Sequence, residues 1–101
     1  MRDGLRVIKL PGYYGLTRVG WLRRVHGDEY VLLPGARTVW RESGSRLLED
    51  LADDGPLKDH GLGKPSKGND EIHRLLVWRC LPADVAAWAK ACPMPKGWVA
   101  E

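Results

Sequence analysis

Phenylalanine is absent from this chain of 101 residues, and cysteine occurs only twice. Without Phe, the bulky packing of a core falls to the five tryptophans, and each buried indole N–H needs an acceptor. The two cysteines, Cys80 and Cys92, show no Cys-x-x-Cys spacing and form no disulfide framework. No apolar run approaches the roughly 18 residues of a membrane span, so no membrane partner is expected. The N-terminal MRDGLRVIKL lacks the apolar stretch and small-residue cleavage site of a secretory signal. The expectation is a cytoplasmic protein with free thiols.

Chemistry-bearing patterns are equally sparse. His60, His73, Cys80 and Cys92 are the soft ligands, and none lies within a few residues of another as paired metal ligands do. No metal and no cofactor is expected. Gly61-Leu62-Gly63-Lys64-Pro65-Ser66 has the flavour of a phosphate loop but fails it. Lys58 stands where the first glycine belongs and Pro65 where the hydroxyl residue belongs. Ser43, Ser45 and Ser66 sit in cap or loop contexts, with no Gly-x-Ser-x-Gly elbow. His26 and Glu29 can pair across a hairpin, which is more often a surface charge pair than a base with its orienter. Asp53, Asp54 and Asp59 read as solvated carboxylates. A non-catalytic protein is expected.

What the sequence does hold is a globular composition, 44% hydrophobic and 29% charged. Its length fits one domain, residues 1–101. Charge is uneven along it. Residues 1–46 carry a net +5, residues 47–59 a net −4 and residues 60–101 a net +2, giving +3 overall. A basic N-terminal half suits an anionic partner, unless the acidic segment folds back to cancel it.

Residues 5–41 read as a β-meander. Leu5–Leu10 is a strand closed by Pro11-Gly12. The stretch from Arg18 to Arg41 is divided into three strands by turn signals at His26-Gly27-Asp28 and Pro34-Gly35-Ala36. With two residues in the first loop and three in the second, Val19, Trp21, Val25, Tyr30, Leu32, Thr38 and Trp40 fall on one face, with Arg23 as the exception. The other face collects Arg18, Leu22, Arg24, His26, Glu29, Val31, Leu33, Arg37, Val39 and Arg41. This sorting depends on register, because a slip of one residue inverts every side chain.

Ser43 or Ser45 can cap a helix over residues 46–53, stopped by Gly55-Pro56. Residues 55–69 form a Gly- and Pro-rich loop. Residues 72–81 combine a helix-start signal at Asn69 with the strand-like run LLVWRCL, and a strand is favoured. Residues 82–92 predict a helix with Val85, Trp88, Ala89 and Cys92 on one stripe. Residues 93–101 form an extended tail pinned by Trp98. The fold class expected is α+β: a small bent antiparallel β-sheet or SH3-like barrel with one or two flanking helices.

The functional expectation is a small binding module. The face carrying Arg18, Leu22, Arg24, Val31, Leu33, Arg37, Val39 and Arg41 has an apolar centre and an arginine rim. That composition suits a protein partner or self-association, as in an adaptor, inhibitor or assembly component. The alternative is a nucleic-acid-binding domain using the same basic face. There Tyr13 and Tyr14 would serve as stacking platforms, and Lys64 and Lys67 as further phosphate contacts.

Overall fold

A computed structural model describes residues 2–11, 16–39, 48–56 and 61–99. Six strands form a single antiparallel sheet: β1 (Gly4–Leu10), β2 (Leu16–His26), β3 (Glu29–Leu32), β4 (Arg37–Val39), β5 (Asp70–His73) and β6 (Arg79–Pro82). Two short helices, α1 (Leu48–Asp54) and α2 (Val85–Trp88), complete a small α+β fold. The strand order is β5-β3-β2-β1-β6, with β4 also paired to β2. Predictions on Tyr13, Tyr14, Trp40, Arg41, Ser43, Ser45, Arg46, Asp59 and His60 lie outside the described residues.

The first hairpin forms as the sequence suggests. Gly27-Asp28 is its two-residue loop between the paired His26 and Glu29. Gly27 has φ +54°, a left-handed conformation that glycine adopts without steric cost. Immediately beyond, the register shifts between Arg24 and His26. Val25 is extra, so Arg24 rather than Val25 pairs with Tyr30, and Leu22 pairs with Leu32. This bulge overturns half of the expected sorting. Tyr30 and Leu32 join Leu22 on one side of the sheet and leave the side that holds Trp21.

Pro34-Gly35-Ala36 is not a hairpin loop. β4 continues along the same edge of β2 as β3, so the chain from Glu29 to Val39 acts as one interrupted strand. Between the pairs Leu22–Leu32 and Val19–Arg37, three steps on β2 face five on its neighbour. The surplus bulges inward over Gly20. A Cβ on Gly20 would lie 2.7 Å from the Cβ of Ala36, so only glycine admits this approach. Leu33 keeps the ladder engaged by donating its N–H to the Trp21 carbonyl at 2.8 Å.

Residues 72–81 are not one strand. β5 ends at His73, a 3-10 turn spans Arg74–Leu76, and β6 begins at Arg79. The two strands occupy opposite edges of the sheet. Laid flat, those edges would stand about 19 Å apart. A five-residue link that spends three residues in a turn rising about 2 Å per residue cannot span that distance comfortably. The sheet therefore curls. It does not close: β5 pairs with β3 and β6 with β1, but among the described residues β5 and β6 do not pair. The architecture is a bent open sheet rather than a completed barrel.

Curling separates two apolar layers. Inside the curl lie Ile8, Leu22, Tyr30, Leu32, Ala36 and Ile72, with Val77 and Cys80 packed against them. On the outer side Leu5, Val7, Val19, Trp21 and Val39 meet Leu51 and Ala52 of α1 and Trp88 and Cys92 at the end of the chain. Each fully buried aliphatic contributes roughly 1.5–3 kcal/mol. The deepest indoles are satisfied as composition demanded. Trp21 Nε1 donates to the Cys92 carbonyl at 3.1 Å and Trp88 Nε1 to the Leu51 carbonyl at 3.0 Å.

α2 is shorter than residues 82–92. Asp84 caps it by accepting from the Ala87 N–H at 3.0 Å. Its Ala89 N–H turns back to the Ala86 carbonyl and tightens the last turn. The buried stripe is rotated from the expected one: Trp88 and Cys92 are buried, whereas Val85 and Ala89 are exposed. The tail is anchored by Trp98, whose ring meets Trp21 edge-on at 4.9 Å beneath the Arg23 guanidinium at 4.6 Å.

Candidate interaction surface

The residues grouped by the sequence reading do not share a surface. Leu22 is fully buried inside the curl, and Val39 is buried in the outer core. Leu33 packs against that same outer core. Val31 is half-buried opposite Arg23. Arg37 pairs with Val19 and so belongs to the Trp21 side. Its Nε donates to the Gly63 carbonyl at 2.8 Å and its Nη1 to the Ala91 carbonyl at 3.5 Å, tying the loop and the helix end to β4. Arg18 lies on the opposite side, ion-paired with Asp70. Its side chain is 16% exposed. Burial holds its guanidinium below the ordinary arginine pKa. Its Nε is buried without a partner among the described residues. Arg24 is exposed and carries its charge to solvent. Lys64 and Lys67 are exposed on the loop beyond Gly63.

This scattering has a definite cause. Arg18 and Arg24, six residues apart on β2, keep the same parity. The bulge at Val25 inverts the parity of the neighbouring chain against β2, and the excursion before β4, with a surplus of two residues, carries that inversion on unchanged. Arg37 is thereby carried to the far side.

Exposed apolar surface gathers elsewhere. In the link between β5 and β6, Leu75 is 81% exposed, Leu76 56% and Trp78 65%. The backbone there is firmly placed. Arg74 N–H donates to the Asp28 carbonyl at 2.8 Å and Trp78 N–H to the Lys9 carbonyl at 2.9 Å. The crest is flanked by ion pairs, Arg74 with Asp28 at 3.2 Å and Arg79 with Glu49. The Arg79 hydrogen bond holds the Glu49 carboxyl below its usual range. At the foot of the crest a groove of about 300 Å³ runs between Val25, Val31 and Leu76, with Glu29, Glu71 and His73 at its rim. Among the described residues Glu71 has no ion-pair partner.

The sequence signal for this crest was the run RLLVWR itself. Reading it as a strand hid the apolar side chains in a core. Its helix-start signal at one end and strand character at the other marked a break between two short elements.

A larger recess of about 640 Å³ lies between the N-terminal strand and the tail, against Leu5, Trp21, Met94 and Trp98. Its Arg6 guanidinium is committed to the Leu5 and Asp3 carbonyls at 2.9 and 3.1 Å. Among the described residues no three His, Cys, Asp or Glu side chains gather to hold a metal ion, and no helix is long and apolar enough to cross a membrane. Burial raises the Cys92 thiol to about 11 and also raises Cys80, opposite to the shift of a nucleophilic thiol. No protein family, curated protein or solved structure matches the chain.

Proposed function

We propose that the protein is a small non-catalytic binding module whose partner is another polypeptide. Its contact surface is the crest between β5 and β6 rather than an arginine-rich sheet face. The observation that carries this reading is the exposure of Leu75, Leu76 and Trp78 together on a hydrogen-bonded link. Single exposed apolar residues need no explanation, but a contiguous group rimmed by polar residues is the composition of a protein contact. Tryptophan and leucine at its centre exclude water, and the flanking arginine ion pairs supply the rim. The nucleic-acid alternative drew on one continuous cationic surface. With Arg18 ion-paired to Asp70 and Arg37 bonded to backbone carbonyls on the other side, the described residues left to that reading are the exposed Arg24 and the loop lysines 64 and 67.

The test is cross-linking of the tagged chain in cells, followed by identification of what is recovered. A stoichiometric polypeptide, a further copy of the chain included, is expected to be lost with Leu75→Asp and Trp78→Ser and kept with Lys64→Glu/Lys67→Glu. Recovery indifferent to both crest variants overturns the reading. So does recovery of nucleic acid that disappears with the lysine variant.

A further inference from the structure

We infer that the polypeptide partner is a second copy of this chain, added antiparallel to the outer edge of β5 so that the two sheets become one. This rests on the protein-binding reading above and names its partner. Among the described residues β5 is hydrogen-bonded on one side only, to β3. An unpaired edge is a template for another strand unless it is blunted. β6, at the other edge, ends in Pro82, which cannot donate to a ladder. β5 contains no proline and no bulge.

The phase of the existing ladder limits how a copy can bind. Arg74 N–H donates to the Asp28 carbonyl, so His73 and Glu29 form the next, non-hydrogen-bonded pair. Alternation then directs the amide groups of Ile72 and Asp70 toward β3, and those of Glu71 and His73 outward. An antiparallel partner must match outward groups with outward groups. A two-fold axis falling between residues is therefore forbidden, because it would set Glu71 opposite the partner's Ile72. Axes through a residue remain.

Charge selects among them. The segment Asp70-Glu71-Ile72-His73-Arg74 is acidic in its first half and basic in its second. With the axis through Ile72, Glu71 faces the partner's His73, and His73 faces the partner's Glu71. These are also the residues whose backbone groups point outward. An axis through Glu71 would set that carboxylate against its own copy, and one through His73 would set Glu71 opposite the partner's Leu75, leaving it without a donor. Like pairs directly opposite are destabilising and opposite ones stabilising. Glu71 has no ion-pair partner within its own chain, among the described residues, and His73 Nδ1 accepts from the Leu75 N–H at 3.1 Å, which leaves its Nε2–H to donate to the partner's Glu71 carboxylate. The edge is thus charged against most strands yet complementary to itself, in the isologous form that two-fold symmetry requires. Past His73, the same register lays the partner's Gly68–Asn69 end alongside the exposed Leu75 and Leu76.

Charge exchange tests this directly, with sedimentation or light scattering across micromolar to millimolar concentrations of the intact chain. The wild type is expected to dimerise. His73→Glu should weaken the dimer by about tenfold or more because both symmetric pairs become like-charged, and Glu71→Lys should do the same by removing the carboxylate that accepts from His73 Nε2–H in both pairs. Mixing the two variants should restore association as a heterodimer, and the double variant should self-associate again. Circular dichroism and Tm confirm that each variant is folded. A wild type monomeric throughout, or single variants that dimerise as tightly as wild type, overturns the proposal. In that case the crest reading stands if the crest variants still lose their cross-linked partner. A dimer that obeys the charge exchange but ignores both crest variants removes the crest and keeps the β5 pairing.

Discussion

Arg18 on β2 is ion-paired with Asp70 at the start of β5. Residues 52 positions apart in sequence are thereby fastened where the acidic end of an edge strand meets the middle of the sheet. The pair is unequal in exposure, 16% for the arginine side chain and 41% for the aspartate. The guanidinium is the more desolvated partner, and it depends on the carboxylate.

Asp70→Asn is therefore expected to destabilise the fold by about 1–3 kcal/mol, because it leaves a largely buried positive charge uncompensated. Arg18→Met should cost less, since the exposed carboxylate can turn to water while the apolar stem stays packed. Urea unfolding of the two single variants and their double variant would reveal the coupling. Equal costs for both singles would contradict the asymmetry.

Gly20 and Ala36 make the second prediction. Gly20→Ala places a methyl where the chain before β4 tucks in, and a loss of about 1–3 kcal/mol is expected. Ala36→Gly should recover part of that loss by vacating the contact, although its own flexibility costs about 0.5–1 kcal/mol. Thermal melts of the three variants check this. Simple addition of the two single effects would mean that the residues do not oppose one another.

Cys92 supplies a pH dependence. Its thiol is buried, with Sγ 3.8 Å from the Val19 carbonyl and 3.7 Å from that of Gly35, and its folded pKa rises from 9.0 to about 11. The folded state holds this proton more tightly than the unfolded chain does. The stabilisation is complete below pH 9 and is lost as pH rises through about 11, to the extent of about 2–3 kcal/mol. Stability measured between pH 8 and 11 should fall more steeply in the wild type than in Cys92→Ala. A thiol reagent at pH 8 should label Cys92 only at the rate of unfolding. Prompt labelling of the native protein would place the thiol in contact with solvent.

The sequence revealed this fold unevenly. Gly27-Asp28 announced its hairpin because a two-residue loop needs a particular backbone, and few residues adopt it. The burial of Trp88 and Cys92 followed from helical spacing. Val25 gave no such sign: a bulge adds one residue whose identity is unconstrained, and every parity beyond it changes. Pro34-Gly35-Ala36 signalled a change of direction without saying whether the chain would return beside β3 or rejoin β2. Gly20 held the answer, since an isolated glycine inside a strand marks close approach of another segment. The proposed arginine surface failed to assemble at the first of these places, because the bulge at Val25 puts Arg37 on the side opposite Arg18 and Arg24. The exposure of Leu75, Leu76 and Trp78 was out of reach for a different reason: hydrophobicity specifies a preference for burial, and only the tertiary arrangement decides whether it is met.

The pairing of the first strand with the last imposes an order on synthesis. β1 leaves the ribosome well before Arg79–Pro82, the segment that covers its second side. A nascent chain ending earlier leaves the outward backbone groups of Val7 and Lys9 open to any passing strand. Completing β1 therefore waits on a contact of long sequence separation, the slow kind of step in folding.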